Sequence, residues 1–202
     1  KLSTIISIVY CYNLRGGGGS NMGKLFFRHL FLFRSILFTV IFSLSIVGCA
    51  KYSDEVQANL TKLETTKSCV GCNLTGIELM NFDLKSANLT SANLTSANLS
   101  RTNLTDADLT GINLTNANLT NAVLVKTKIL NANLSNVKLS YANINGSEIS
   151  NVILVNAHLN NSKIINSRIN NSDMTGANLY KADLTRTKLT NVKLESAVFC
   201  KT

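Results

Sequence analysis

Ala87-Asn88-Leu89-Thr90-Ser91, Ala92-Asn93-Leu94-Thr95-Ser96 and Ala97-Asn98-Leu99-Ser100-Arg101 follow one another without a break, and the same five-residue step runs from Cys72 to the end of the 202-residue chain. Every fifth residue from Leu74 to Phe199 is large and apolar, at 26 successive positions with no slip. Two residues ahead of each stands a smaller partner, beginning Cys72, Ile77, Phe82, Ala87 and ending Val192, Ala197, with Ser or Thr at a minority.

A period of five fits neither the 3.6 residues of a helical turn nor the two of a flat strand. To keep its apolar residues together the chain must turn a corner at each repeat, and the solution is a solenoid. Asn, Asp, Ser, Thr and Gly fill the positions between, residues suited to turns and to side-chain bonds with the backbone. The chain holds no Pro, which fits a stack that needs every backbone N–H for the neighbouring coil.

On these residues the chain resembles the pentapeptide-repeat family, whose Ala-(Asn/Asp)-Leu-X-X pattern is matched over residues 72–201, about two thirds of the sequence. The resemblance implies an all-β fold, a right-handed quadrilateral β-helix with four repeats to a coil. It places the Leu-type residues and their small partners inside and Asn, Thr and Ser outside. Six and a half coils at ~4.8 Å each give a rod about 31 Å long.

The chain before the repeats reads as an address. Residues 16–20 are Gly-Gly-Gly-Gly-Ser, a flexible linker, and residues 1–21 stand apart from the fold as an extra segment ahead of a start at Met22. Residues 22–48 then run from Lys24, Arg28 and Arg34 into the uncharged stretch 35–48 and end at Cys49, the layout of a secretory signal. That stretch is about 21 Å long as a helix, short of the ~30 Å hydrocarbon core. Ile46-Val47-Gly48-Cys49 resembles the lipobox of bacterial lipoproteins. The resemblance implies acylation of Cys49 and an anchor in the membrane, and Ala50 in place of Asp favours the outer membrane. The alternative keeps 22–48 as an uncleaved membrane segment. Residues 49–71 form a tether, with a helix expected near 54–66 because Ser53 precedes Asp54 and Glu55 and because Val56, Leu60 and Leu63 share one face. That apolar face would cap the first coil.

Charge is unevenly spread: five basic residues and no acid in 1–49, three of each in 50–71, and twelve bases against eight acids in 72–202. The repeat region is therefore mildly basic. Relatives that protect a topoisomerase are thought to imitate DNA with an acidic rod, and this chain lacks the acids for such mimicry of the gyrase substrate.

With residues twenty apart stacked in columns, one side gathers Arg101, Lys138, Tyr141, His158, Tyr180 and Lys181, a candidate binding face, with Lys201 at the end of its corner column. Apolar side chains outside the core pattern stand at Val123, Val125, Ile153, Val155 and Ile165. The last coil, near Val192, Ala197 and Phe199, presents an edge expected to pair end to end with a second copy. Cys69 and Cys72 form a C-x-x-C pair without the further ligands a zinc site needs. They read chiefly as small core hydrophobes, with a disulfide or redox role open outside the cytoplasm. Cys200 has no partner in sequence terms.

His29 and His158, far apart and without acid partners, form no triad or metal cluster, so neither catalysis nor a cofactor is expected. Two functions remain. The first is a non-catalytic lipoprotein rod in the bacterial cell envelope, outer-membrane or periplasmic-facing, that binds an unidentified protein or plays a structural part. The second is a membrane-anchored intracellular module whose basic face meets nucleic acid or anionic lipid.

Overall fold

The computed structural model describes residues 51–200; residues 1–50, including the signal-like stretch and Cys49, lie outside the described residues, as does Lys201. From Asp54 onward the chain forms one compact unit. It opens with helix α1 (Asp54–Thr66), which matches the expected range residue for residue. Asp54 and Glu55 stand in its first turn, where carboxylates suit the free N–H groups and the positive end of the helix dipole. Val56 and Leu63 are buried, and Asn59 Nδ2 donates to the Asn73 carbonyl at 3.0 Å. The helix thus covers the first coil, as a stack of repeats requires. Lys67, with φ of 55°, ends it in the left-handed conformation, and its ammonium donates to the Asp83 carbonyl.

Beyond α1 the backbone climbs in four-sided coils. Parallel bridges join residues twenty apart throughout, such as Asn88 to Asp108 and Asn98 to Asn118. Four repeats therefore complete one turn of the solenoid. On one side the pairing extends to three-residue strands, β1 (Lys128–Leu130), β2 (Glu148–Ser150), β3 (Arg168–Asn170) and β4 (Lys188–Thr190). They form a parallel sheet in chain order, with Ile129, Ile149, Ile169 and Leu189 in register.

Three backbone bonds per repeat tie coil to coil. Around Leu89, the Leu89 N–H donates to Asp108 at 2.9 Å, the Ser91 N–H to Thr110 at 2.8 Å, and the Asn88 N–H to Lys67 at 2.9 Å. Within the coil the Ala92 N–H closes the turn on the Leu89 carbonyl at 3.1 Å. Each such turn needs a positive φ at its third residue. All 26 corners from Gly71 to Ser196 supply it, five with Gly and the rest with L-residues, mostly Asn and Ser.

The core is the central column with its small partners. Leu74, Leu94, Leu114 and Leu134 are at most 1% exposed, as are Ala92, Ala117 and Ala157. A cavity of about 10 Å³ runs between central residues such as Leu124, Ile144 and Met174, so the interior is packed solid and holds no ligand.

Cys69 and Cys72 are buried in the core, as small hydrophobes would be, and are also joined by a disulfide, the role the sequence left open, with Cα atoms 5.3 Å apart. The central column begins one repeat earlier than the sequence pattern suggested, with Cys69 fully buried on it and Ser68 bridged to Asn88. Cys72 sits on the adjoining inward column across a single turn, which brings the two thiols together facing the core.

Ser and Thr on the small-partner column form a buried ladder. The Ser147 and Ser167 hydroxyls donate to the carbonyls of Leu124 and Ile144 in the coil below, at 2.6 and 2.8 Å. The N–H of Ser147 donates in turn to Ser167 Oγ at 3.2 Å. The Ser167 hydroxyl thus satisfies both backbone groups of the Ile144–Ser147 turn, whose own bond is missing, while the Leu124–Thr127 turn keeps a bond of 3.4 Å.

On the outside, an Asn or Asp before a central residue locks the side chain or N–H of the residue after it. Asn88 Oδ1 accepts from the Thr90 N–H and hydroxyl at 3.1 and 2.7 Å, and Asn93, Asn113 and Asn118 repeat the arrangement. Asp108 takes the same place. The Thr110 hydroxyl above all, then the Thr110 N–H and the Lys128 ammonium, hold its carboxyl below the usual carboxylate range against the opposing effect of burial.

Two outcomes follow. Ser167→Ala leaves the Ile144 carbonyl and the Ser147 N–H without their partner and is expected to destabilise the rod by about 2–4 kcal/mol. Ser100→Ala, at a half-buried outer position, should cost under about 0.5 kcal/mol, and urea unfolding followed by circular dichroism compares the two. Thr110→Val should raise the Asp108 pKa toward the ordinary value in a carboxyl-carbon NMR titration. Because the folded pKa is the depressed one, this contribution to stability is present above the unfolded carboxylate value and is lost as pH falls through the folded one. The variant should therefore lose less stability over that interval than the parent chain.

Candidate interaction face

Where Asn or Asp stands ahead of a central residue and Ser or Thr behind it, the outer chemistry is turned to its own neighbour. A Thr hydroxyl that donates to its Asn neighbour has little left to offer a partner. The pattern breaks on the side of β1–β4, where Lys128, Glu148, Arg168 and Lys188 stand ahead of the central residue and alternate in sign at Glu148, and on the second side, built on Leu79, Leu99, Leu119, Leu139, Leu159, Leu179 and Phe199. Lys138 and His158 replace Asn ahead of the central residue, and Asn160 and Tyr180 replace Ser or Thr behind it.

The six residues singled out in the sequence come together here, and all are exposed. Lys138 and His158 are directly bridged. Arg101, Tyr141 and Lys181 lie on one corner column with φ of 59°, 61° and 56°. Tyr141 is 58% exposed and Tyr180 36%, and the Lys181 ammonium lies 5.2 Å from the centre of the Tyr180 ring, a cation–π contact that holds the ring in place. With Lys138 offering no acceptor, the Ser140 hydroxyl reaches up to Asn160 Oδ1 at 2.7 Å.

Charge is sorted between the sides. From Ala97 to Lys181 the second side carries no Asp or Glu; Glu78 in the first coil is its one acid among the described residues. Elsewhere two cations form ion pairs, Lys128 with Asp108 and Lys193 with Asp173, each at 3.8 Å. Around the corner Asp183 is held below the ordinary carboxylate range chiefly by the Thr185 hydroxyl, with its N–H and Lys163 assisting.

Ile153 is 45% exposed and borders a shallow groove of about 340 Å³ with Asn151, Asn171, Asp173 and Lys193. Val123, Val125, Val155 and Ile165 are half-buried. In the last coil Val192 and Ala197 are half-buried, and Leu189 and Phe199 are about 40% exposed, at 39% and 40%. Cys200 is a free, exposed thiol. Among the described residues no group of three or more His, Cys, Asp or Glu is placed to hold a metal ion, and no helix is long and apolar enough to cross a membrane. The column arithmetic that located the face could also have shown its lack of acids, a signal the sequence reading passed over.

Several solved structures are similar to this chain. A pentapeptide repeat protein from the Arabidopsis thaliana thylakoid lumen is 23% identical with a TM-score of 0.33, over 51% of this chain and 65% of that one, just under two thirds of its length. QnrB1, a plasmid-mediated fluoroquinolone resistance protein, is 16% identical with a TM-score of 0.42, over 66% and 79%. Rfr23, from the cyanobacterium Cyanothece 51142, is 27% identical with a TM-score of 0.30, over 71% and 99%. No curated protein matches. The pentapeptide-repeats family matches in eight copies over 68–106, 102–140, 117–156 and 153–191, well over half the chain. Its right-handed quadrilateral β-helix accounts for the twenty-residue register, the corner at every fifth residue and the solid core. This chain belongs to the pentapeptide-repeat family.

Proposed function

We propose that the chain is a non-catalytic lipoprotein of the bacterial cell envelope, held by an acylated Cys49 and presenting its β-helix as a structural or protein-binding rod. The observation that carries this reading is the Cys69–Cys72 disulfide. Disulfides form and persist in oxidising compartments, whereas cytosolic thiols are kept reduced. A clasp at the entrance to the first coil therefore suits a domain that folds after export. The order of basic region, apolar stretch and Gly48-Cys49 supplies the route and the anchor. Acyl chains contribute ~0.8 kcal/mol per buried methylene, so two or three of them hold a protein firmly on a bilayer. The packed interior and the self-satisfied outer ladders suit a scaffold that offers surface and no reaction centre.

Intact mass of the chain, expressed from Met22 in a bacterial host and extracted from membranes, tests the reading. The expected product begins at Cys49, carries added acyl mass, and leaves Cys69 and Cys72 unlabelled by alkylating reagent until reduced. Cys49→Ala should remain unprocessed. A parent chain that keeps residues 22–48 and whose Cys69 and Cys72 alkylate without reductant overturns it.

A further inference from the structure

We propose that the second side of the rod, from Arg101 to Lys181, binds an acidic polysaccharide laid lengthwise along the coils. The inference goes beyond the envelope reading and does not depend on acylation of Cys49.

Arg101, Lys138 and Lys181 are exposed cations without an acid on their own side from Ala97 upward, and none forms an ion pair within 4.0 Å, unlike Lys128 and Lys193. Facing groups on the neighbouring sides do not neutralise them: Asp183 is engaged by Thr185 and Lys163, and Asp173 by Lys193. Interleaved with the cations are two exposed rings, Tyr141 and Tyr180. Between them lie carboxamides at Asn121, Asn160 and Asn161.

These three kinds of group match three features of a uronic-acid polymer. Cations make charge-assisted bonds to its carboxylates. Tyrosine rings offer apolar faces to the C–H faces of sugar rings, with a hydroxyl left for solvent or ligand. Asn carboxamides supply both a donor and an acceptor, the pairing that neighbouring sugar hydroxyls require. Spacing agrees as well. Arg101 to Lys181 spans four coils, about 19 Å at ~4.8 Å per coil, and one coil rises by a distance of the same order as one sugar unit along a chain.

Other anionic polymers fit less well. Three fixed cations over four coils, beside sides that carry Asp83, Asp106, Asp183 and Glu195, give too sparse a field for a duplex or an anionic bilayer, whose binding scales with the number of neutralised phosphates or of basic residues at the surface. Tyr141 stands apart at its corner. It is the one aromatic among 26 left-handed corners, where an L-residue other than Asn or Asp is disfavoured by roughly 1–2 kcal/mol. A bulky ring kept in a strained position, exposed, and bonded through its backbone like any other corner points to a use outside the fold.

The full chain in neutral detergent would be titrated with polygalacturonate by calorimetry, at low and at physiological salt. Dextran, polyglutamate, a DNA duplex and phosphatidylglycerol vesicles serve as comparisons. The variants Tyr141→Asn, Lys138→Asn and Lys181→Asn each install the residue found elsewhere in the same column, at Asn121, Asn118 and Asn161, so the fold is retained. Polygalacturonate is expected to bind, and each variant to weaken it about tenfold. Lys193→Asn, on another side, should leave binding unchanged. Equal binding of polyglutamate, tighter binding of the duplex or the vesicles, an unchanged affinity in Tyr141→Asn, or no polygalacturonate binding at all would each overturn the proposal. None of these outcomes alters the mass of the processed chain, so this proposal and the envelope reading fail separately.

Discussion

The structure depends on a left-handed residue at every fifth position. A five-residue step can return to the same side of a square only if each repeat ends in a right-angled corner, and the turn that makes it needs a positive φ. Corners from residue 71 to residue 196 all comply. Once they do, the central residue must face inward, its N–H must meet the coil above, and the side chain before it must lie outside beside the side chain after it. The hydrogen-bond ladder, the packed core and the Asn–Thr locks are consequences of that one backbone requirement. Asn and Gly at so many corners meet it at low conformational cost.

Repetition also explains how the ends and the irregular places are managed. A coil inside the stack is held by neighbours on both sides, while an end coil has one neighbour and needs a substitute for the other. At the start that substitute is α1, which buries Val56 and Leu63 and bonds to the first coil through Asn59. The disulfide fixes the turn just inside this cap. Its four-residue loop constrains the unfolded chain by only about 2 kcal/mol on the loop-entropy estimate, so its role is local, to hold one corner where a stacking neighbour is missing below. The Ser167 hydroxyl does comparable work inside the stack, at the Ile144–Ser147 turn, where the turn bond is absent and two backbone groups would otherwise be buried unpaired.

Much of this was legible in the sequence because a strict period leaves few choices. The register, the inward and outward columns, the helix at 54–66 and the six exposed residues of the second side all follow from counting by five and by twenty. Two features did not. The sequence leaves the disulfide open, because Cys69 is neither Leu nor Ile and the apolar column reads as beginning at Leu74. Its place was visible only once α1 and Ser68 fixed the first coil. The hydroxyl ladder was missed because Ser in a column of Ala reads as a tolerated small residue. Whether it closes its own turn or reaches down to the coil below depends on backbone detail that a period cannot express.

In a solenoid the residues that make the fold and the residues that meet a partner are separated by geometry. Every inward position answers to its neighbours above and below, and changing it disturbs three coils. An outer position answers only to the lock between Asn and Thr, and any side chain that forgoes the lock is free to vary. Departures from the repeat on the outside therefore carry more information about function than the repeat does. On the side of β1–β4 the departures mix signs, with Glu148 between Lys128 and Arg168, and Lys128 and Lys193 pair with Asp108 and Asp173. On the second side they coincide: the lock is given up at Lys138 and His158, the corner is given to Tyr141, and Tyr180 replaces the hydroxyl residue. The acids are absent over the same coils. Folding alone gives no reason for these choices to fall on one side, because each coil stacks equally well with Asn, Thr and Ser there, as the coils at Asn98 and Asn118 show.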